Sequence, residues 1–300
     1  MKTNKPTVIV LLGPTASGKT KLGIEIAEFF NLKIHNIDSR QFYLGMDVGT
    51  AKPTQIQKKK IEHHLIDICL PNQQITLHDF KRIALESLEK TFNNNEIGLL
   101  VGGSGMYLKA LTSGFVPPPI GPQTFFRNQL NKITQEDRHK LLEICDPKSA
   151  NKIHLSDTSR TIRALEVFYG TGKAMSSQTK KKPPNWRTIE LGLNPKNLNE
   201  RIETRTNYIF ENGIIEETKK LISSYGEDLP LLKTIGYEES LSVIQRSISI
   251  SEAIKITNQR TKNFAKRQKT WFKNQHAPKW LNDENPLKEA IKLIQEVIDL

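Results

Sequence analysis

The sequence has few cysteines and no long apolar run. Only Cys69 and Cys145 occur among the 300 residues, far apart and without metal-ligand spacing. This argues against a disulfide framework or a zinc site and favours a reducing compartment. No apolar stretch approaches the roughly 20 residues that a membrane-spanning helix needs. Residues 1–6 run directly into an apolar segment and leave no room for a signal peptide, so we expect a cytoplasmic protein that does not contact a membrane.

Acidic residues are missing from one segment near the C-terminus. The net charge is +12, from 44 Lys and Arg against 32 Asp and Glu. Residues 255–279 contain eight basic residues and no acidic one, with Phe264, Trp271 and Phe272 at helix-compatible spacing. Such a helix can bind phosphates on one face and pack its aromatic residues on the other. This favours a nucleic acid as partner, and a merely solvated basic helix is the alternative.

A glycine-rich loop near the N-terminus is the strongest chemical motif. It matches G-x-x-x-x-G-K-[ST], follows the apolar segment 8–12, and precedes residues 21–30, whose apolar positions have helical spacing. In this context backbone N–H groups and the positive end of a helix dipole face a phosphate. We predict that Lys19 contacts the terminal phosphates and that the Thr20 hydroxyl binds Mg²⁺. The predicted phosphate-binding residues are Gly13, Pro14, Thr15, Ala16, Ser17, Gly18, Lys19 and Thr20.

The carboxylate typical of a nucleotide hydrolase is also missing. In those proteins a second apolar strand ends in an acidic residue at the metal, whereas segment 97–101 is followed by Gly102 and Gly103. A carboxylate, Asp38, instead ends the short strand that follows the loop and its helix. Because the carboxyl ends of parallel strands meet at the ligand crevice, we expect Asp38 to face the loop. Capping the next turn is the alternative role for Asp38. The pattern favours a kinase-like or transferase site over an ATPase.

Alternating strand and helix patterns over residues 7–115 indicate a mostly parallel sheet. The apolar segment 188–193 has the pattern of a further core strand. Between these regions the pattern is helical and is bounded by the proline-rich stretches 116–122 and 180–186, which indicate an inserted module. The predicted fold is therefore α/β, with a P-loop NTPase-like core and an inserted helical domain. The predicted domains are a core of residues 1–115 and 187–300 and an insert of residues 116–186.

Eight motifs along nearly the whole chain resemble one protein family. They are Gly-Pro-Thr-Ala-Ser-Gly-Lys-Thr at 13–20, Asp-Ser-Arg-Gln-Phe-Tyr at 38–43, Met-Asp-Val-Gly-Thr-Ala-Lys-Pro at 46–53, His-His-Leu-Ile-Asp at 63–67, Gly-Gly-Ser-Gly-Met-Tyr-Leu-Lys-Ala-Leu at 102–111, Arg-Ala-Leu-Glu-Val at 163–167, Thr-Ile-Gly-Tyr-Glu-Glu at 234–239 and Lys-Arg-Gln-Lys-Thr-Trp-Phe at 266–272. In this order they resemble the tRNA dimethylallyltransferases, also called tRNA isopentenyltransferases or IPP transferases. A lone P-loop is weak support for such a resemblance, whereas the ordered set is specific.

The resemblance implies transfer of a dimethylallyl group from dimethylallyl diphosphate to N6 of adenosine 37 in tRNA, 3′ of the anticodon, with release of diphosphate. The loop then holds a leaving group, and Lys19, Arg205 and a Mg²⁺ on Thr20 neutralise charge as the C–O bond breaks. Asp38 is the candidate base for the N6 proton. The implied catalytic residues are therefore Asp38, Lys19, Thr20 and Arg205. The family also implies a monomer.

The resemblance and the basic segment together imply a tRNA-binding set that receives a flipped adenosine and the anticodon stem-loop. Gln41 is suited to an adenine edge. Ser104 keeps the hydroxyl of the threonine usual in the family, and Ser159 stands where the family has glutamine. The predicted tRNA-binding residues are Asp38, Ser39, Arg40, Gln41, Ser104, Ser159, Arg160, Thr161, Ile162, Arg163, Arg260, Lys262, Lys266 and Arg267.

Three other functions share some of these features. A small-molecule P-loop kinase accounts for the loop but not for the basic segment 255–279. An isopentenyltransferase that acts on free adenine nucleotides shares the donor site, but the inserted module and the basic segment favour tRNA as the acceptor. For an RNA-binding ATPase that does no transfer, the missing acidic residue after segment 97–101 is unfavourable.

Overall fold

The computed structural model describes residues 5–95, 97–178 and 180–298. The expectation that no signal peptide precedes the first strand rests on residues 1–6, of which residues 1–4 lie outside the described residues. Within the described part, no helix is both long enough and apolar enough to cross a membrane.

The described residues form eight strands, namely β1 Thr7–Leu12, β2 Ile34–Ile37, β3 His63–His64, β4 Ile97–Gly102, β5 Phe115–Val116, β6 Lys180–Lys181, β7 Arg187–Gly192 and β8 Lys279–Trp280. Six of them form one sheet in the order β3-β2-β4-β1-β7-β8, and every neighbouring pair is parallel. All six residues of β1 are buried, as expected for a central strand covered on both faces. The predicted α/β fold with a mostly parallel sheet is confirmed.

The helices are α1 Lys19–Phe30, α2 Gln55–Lys60, α3 Leu77–Asn95, α4 Gly105–Thr112, α5 Thr124–Leu130, α6 Gln135–Cys145, α7 Pro147–Ala150, α8 Thr158–Thr171, α9 Met175–Gln178, α10 Leu198–Glu211, α11 Ile214–Tyr225, α12 Tyr237–Ile244, α13 Ile250–Gln275 and α14 Pro286–Ile298. The long helix α13 begins at a capping box, in which Ser249 and Glu252 each satisfy the other's backbone N–H. It contains most of the basic segment.

Helix α1 packs on the sheet through its apolar face. Leu22 and Ile26 of α1 are buried in one cluster with Ile9 and Leu11 of β1 and Leu99 of β4. Each such side chain contributes roughly 1.5–3 kcal/mol when it is fully removed from water. This packing fixes the start of α1, and therefore the phosphate-binding loop, at the carboxyl end of β1.

The chain divides into two compact units. The first comprises Met1–Ile75, Asp79–Lys109 and Asn185–Leu300, and the second comprises Thr76–His78 and Ala110–Pro184. The predicted insert of residues 116–186 overlaps this second unit. The unit also contains a short antiparallel ribbon of β5 and β6, which joins the entry and exit of the insert.

Candidate active site

A cavity of about 610 Å³ in the first unit lies where β1, β2 and β4 end. Its walls come from the loop before α1, the turn after β2, the glycine turn after β4, and helices α10 and α13. Since these strands are parallel, their carboxyl ends bring the three loops together, as in other open α/β sheets. Lys19, Thr20, Asp38 and Arg205 all line this cavity. Sequence positions as distant as 19 and 205 therefore share one site.

Two glycines allow the phosphate-binding loop to fold as it does. A Cβ at Gly13 would lie 2.5 Å from the Leu193 carbonyl oxygen, so only glycine fits beside that backbone. Gly18, the residue before α1, has φ of +95°, in the left-handed region that favours glycine. The loop therefore ends directly at the N-terminus of α1, where unpaired N–H groups and the helix dipole favour an anion.

Lys19 points back across the loop. Its Nζ donates to the Pro14 carbonyl oxygen at 2.6 Å and to Ser17 Oγ at 3.4 Å. Burial lowers the pKa of the Lys19 ammonium to about 7, Asp38 opposes this shift, and Arg205 adds to it. A second anion beside Lys19 would favour its charged form. The residue is therefore suited to bind a phosphate group together with a proton.

Asp38 follows β2 directly and is half-buried at the cavity wall. Its Oδ1 accepts a hydrogen bond of 2.9 Å from the Arg40 N–H, so the turn-capping role that we weighed as an alternative is present too. The neighbouring Ser39 N–H donates to Ser104 Oγ at 3.0 Å, and the Ser104 N–H donates to the Ile37 carbonyl. Ser104 thus holds the chain on both sides of Asp38.

Arg205 joins the loop to the opposite wall. Its Nη1 donates to Thr15 Oγ1 at 2.8 Å, and its Nη2 donates to the Thr50 carbonyl oxygen at 3.2 Å. Burial lowers the pKa of the Arg205 guanidinium, whereas Asp38 and Tyr237 raise it. Within the described part of the chain, Lys19 and Arg205 make hydrogen bonds only to uncharged oxygen atoms. Neither side chain is hydrogen-bonded to a carboxylate there, so both can bind an anionic ligand.

Arg201 is a cavity residue that the motifs did not reveal. It lies one turn before Arg205 on α10, and its Nη1 is 3.2 Å from the position of a Cβ on Gly18. Its Nε donates to Asn197 Oδ1 at 2.8 Å, which orients the guanidinium. The signal for it was the i, i+4 spacing with Arg205, which places both side chains on one helix face.

Gln268 is a second cavity residue that the sequence motifs did not reveal. It lies in α13, 8% exposed, and its amide bonds to the Thr15 N–H and to the Gly103 carbonyl, each at 2.8 Å. The spacing of Phe264, Gln268, Trp271 and Phe272 in the predicted helix puts the glutamine on the aromatic face. This spacing was the available sequence signal for a buried polar contact.

Gln41 lines the cavity but is largely engaged within the protein. Its Nε2 donates to the carbonyl oxygens of Thr50 at 3.0 Å and Ala51 at 3.3 Å. The residue is 7% exposed. Any recognition of an adenine by this side chain therefore rests on Oε1. Arg40, in contrast, is exposed beside the cavity.

The four predicted tRNA-binding residues of α13 fall into two pairs. Arg260 forms ion pairs with Glu238 and Glu239, and Lys262 pairs with Glu203 at 2.5 Å. Lys266 and Arg267 are exposed, and Arg267 lines the cavity. The structure thus places Arg260 and Lys262 in internal contacts and leaves the other two side chains at the surface.

The second unit uses its predicted tRNA-binding residues mainly in its own packing. Thr161 and Ile162 are buried, so their side chains do not reach solvent. Arg163 donates to Glu166 Oε2 and to the Ile120 carbonyl, each at 2.5 Å. Ser159 and Arg160 are exposed, with Arg160 paired to Asp157 at the start of α8. Of these five residues, only Ser159 and Arg160 present exposed side chains.

Known proteins resemble this chain along nearly its whole length. The family described as IPP transferase matches residues 41–275. A protein of Prochlorococcus marinus (strain MIT 9211) named tRNA dimethylallyltransferase is 59% identical over 298 residues, which are 99% of this chain and 100% of that protein. The tRNA isopentenylpyrophosphate transferase of Bacillus halodurans has a TM-score of 0.72 and 31% identity, covering 97% of this chain and 96% of its own. A eukaryotic dimethylallyltransferase acting on tRNA has a TM-score of 0.82 and 26% identity, covering 98% of this chain and 80% of its own.

Proposed function

This chain belongs to the IPP transferase family, as its motifs indicated, and we propose that it transfers a dimethylallyl group from dimethylallyl diphosphate to N6 of an adenosine in tRNA. One observation carries the proposal beyond the names of the relatives. The cavity combines a phosphate-binding loop, two basic side chains that make no hydrogen bond to a carboxylate within the described chain, and the single half-buried carboxylate of Asp38. This is the set that a transfer with an anionic leaving group and a proton-losing acceptor requires.

The donor's diphosphate binds in the loop at the N-terminus of α1. Lys19 and Arg205 face it with their positive charges, and the backbone N–H groups of the loop add further donors. As the C–O bond breaks, negative charge grows on the leaving oxygen and positive charge on the allylic carbon. Preorganised cations stabilise this charge separation most in the transition state. They therefore lower the activation barrier in addition to strengthening the binding of the donor.

A Mg²⁺ ion fits this donor set. The Thr20 hydroxyl lines the cavity, and Mg²⁺ is commonly bound through one or two protein oxygens together with substrate phosphates. Thr20 would hold the ion from the first turn of α1. When bound, the ion adds positive charge against the diphosphate oxygens.

The acceptor nitrogen N6 is a poor nucleophile because its lone pair is delocalised into the adenine ring. Asp38 takes the proton that N6 loses as the new C–N bond forms, through the carboxylate oxygen that does not cap the turn. The adenosine has to leave the anticodon stack to reach this carboxylate. The exposed side chains of Lys266 and Arg267 then contact the tRNA phosphates. We also propose that the enzyme works as a monomer in the cytoplasm.

The test is a transfer assay with two acceptors. The protein is incubated with dimethylallyl diphosphate, Mg²⁺ and either unmodified tRNA or AMP, and nucleosides are analysed by mass spectrometry. We expect N6-dimethylallyl adenosine from tRNA, at the position 3′ of the anticodon, and none from AMP. Modification of AMP in place of tRNA would assign the acceptor to free nucleotides. No transfer to either acceptor would overturn the proposed function.

A further inference from the structure

The amide of Gln268 joins two cavity walls that come from different strands. Its Oε1 accepts a hydrogen bond from the Thr15 N–H in the phosphate-binding loop, and its Nε2 donates to the Gly103 carbonyl after β4. Both bonds are 2.8 Å long, and the residue is 8% exposed. Each half of a single buried amide is therefore used to set the spacing between these two segments.

The glycine opposite this amide leaves room for it. A Cβ at Gly103 would lie 2.7 Å from Gln268 Nε2 and 3.7 Å from Lys19 Nζ. Since real Cβ atoms essentially never approach other atoms so closely, any larger residue would displace the amide. The close approach of α13 to this turn therefore depends on both Gly103 and Gln268.

The same turn positions Asp38. The residue after Gly103 is Ser104, whose Oγ accepts from the Ser39 N–H at 3.0 Å and whose N–H donates to the Ile37 carbonyl at 3.2 Å. Hydrogen bonds thus connect Thr15 to Gln268 and Gln268 to Gly103, and the adjoining Ser104 bonds to both neighbours of Asp38. A shift of the turn would move the carboxylate relative to the loop.

Helix α13 is firmly anchored where it provides this glutamine. Phe272 is fully buried, and Trp271 packs so closely on Gly105 that a Cβ there would lie 2.1 Å from its ring. At the end of the helix, His276 Nδ1 lies 2.8 Å from Glu190 Oε1 of β7. A side chain on a rigid, docked element can hold a distance accurately, as a loop residue cannot.

We propose that Gln268 is a positioning residue that fixes the distance between the diphosphate-binding loop and the proton acceptor Asp38. The inference rests on the proposed function, because only a reaction that needs both groups at once depends on their separation. Gln268 acts through Thr15 and Gly103. A misplacement of about 1 Å at a reacting centre can cost about 100-fold in rate.

Two substitutions test the amide. Gln268→Ala removes both hydrogen bonds, and Gln268→Glu keeps the acceptor for Thr15 while it places a carboxylate oxygen against the Gly103 carbonyl. We expect either change to lower kcat about 10- to 100-fold, with tRNA affinity within about threefold of wild type. Because burial favours a protonated carboxyl, which can donate to Gly103, the activity of Gln268→Glu relative to wild type should rise as the pH falls.

A matched control lies in the same helix. Gln259 is exposed and bonds only to Asn263 among the described residues, at 3.4 Å. Gln259→Ala removes the same side chain without changing charge, and we expect its kcat to stay within about twofold of wild type. Thermal unfolding of all variants shows whether a loss of activity follows from a loss of fold.

A double-mutant cycle with Gly103 completes the test. Gly103→Ala should lower kcat in the wild-type protein because its Cβ displaces the Gln268 amide, but should add less than about twofold in the Gln268→Ala background. If Gln268→Ala does not fold, Gln268→Glu and Gly103→Ala carry the same test. Normal kcat in Gln268→Ala or Gln268→Glu, or strictly additive effects in the cycle, would overturn the inference while leaving the function intact. A wild-type protein that transfers nothing would overturn both.

Discussion

Two arginine sites, one in each unit, serve different purposes, and the partners of their guanidinium groups show which purpose each one serves. In the second unit, Arg127 and Arg163 donate to the carboxylate of Glu166, whose side chain is fully buried. In the cavity of the first unit, Arg205 binds only a hydroxyl and a carbonyl oxygen within the described chain. A buried carboxylate neutralises the first group and makes it structural. An arginine without such a partner retains its charge for a ligand.

The pKa of Glu166 illustrates the structural case. Burial raises the pKa of this carboxyl, but hydrogen bonds from Arg127, the Gln123 N–H and Arg163 outweigh burial and bring it to about 2. Lys19, in the cavity, shows the reverse balance, since burial dominates and lowers its pKa to about 7. The charge of Glu166 is stabilised by the protein alone, whereas a bound anion would stabilise the charge of Lys19.

The largest effect should follow the loss of the base. We expect Asp38→Asn to lower the single-turnover rate of transfer about 10²- to 10⁴-fold, because the N6 proton then has no acceptor. The affinity for tRNA, measured by filter binding, should stay within about threefold of wild type. A large loss of tRNA affinity with a normal rate at saturation would mean that Asp38 positions the tRNA instead.

The next largest effect should follow the loss of the buried carboxylate in the second unit. Glu166→Gln leaves two partly buried arginines without their counter-charge, so we expect a loss of about 3 kcal/mol in the free energy of unfolding at pH 7. The folded pKa of Glu166 is lowered, so its stabilisation is present above its unfolded pKa of 4.5 and is lost as the pH falls towards 2.

Glu136 provides the control for Glu166. It is an exposed residue of the same unit, paired with Lys140 on α6. Urea unfolding of Glu136→Gln should show a change of about 0.5 kcal/mol or less. Equal losses for Glu136→Gln and Glu166→Gln would contradict the structural role of Glu166.

A smaller effect concerns Arg201. Because its guanidinium lies beside Gly18 at the start of α1, we expect Arg201→Gln to raise the Kd for diphosphate about tenfold, the equivalent of one charge-assisted hydrogen bond. The KM for dimethylallyl diphosphate should rise with it, while kcat changes little. A change in kcat with an unaltered Kd would place Arg201 at the reacting bond instead.

The smallest expected effect is a difference in the number of protons taken up when diphosphate binds. With a Lys19 pKa of about 7, most of this side chain is neutral at pH 8 in the free protein, and a bound anion restores its charge. Diphosphate binding should therefore take up more protons in wild type than in Lys19→Arg, which stays charged at every pH. Calorimetry in buffers of different ionisation enthalpy measures this difference, and equal uptake by both proteins would contradict the lowered pKa.

The parts of the site that sequence predicts are those built from neighbouring residues. Residues 8–20 show strand, loop and helix start in one stretch, and Asp38 follows β2 at the sheet edge where ligands bind. The role of Arg205 was predicted from the family resemblance and not from its local sequence pattern. The hydrophobic pattern also indicated the parallel sheet, because a central strand buried on both faces shows a continuous apolar run.

The parts that sequence does not predict depend on contacts between distant residues. The Thr15 and Gln268 hydrogen bond joins residues 253 positions apart, and no local pattern reveals such a pair. Arg163 and Arg205 look alike in sequence, yet Glu166 lies beside only one of them. Whether a charged side chain is paired within the protein depends on how the chain packs. The ion pairs of Arg163, Arg260 and Lys262, which were predicted to bind tRNA, could therefore be seen only in the structure.

The most direct test of the account is the affinity for diphosphate of Arg205→Gln and Arg163→Gln, measured by calorimetry with Mg²⁺ present. Each variant loses one arginine charge, and circular dichroism confirms that both are folded at the temperature used. The account predicts a 10- to 100-fold weaker Kd for Arg205→Gln, about 1.4–2.8 kcal/mol, and an unchanged Kd for Arg163→Gln. Equal affinities for the two variants would contradict the assignment of the cavity's unpaired cations to the leaving group.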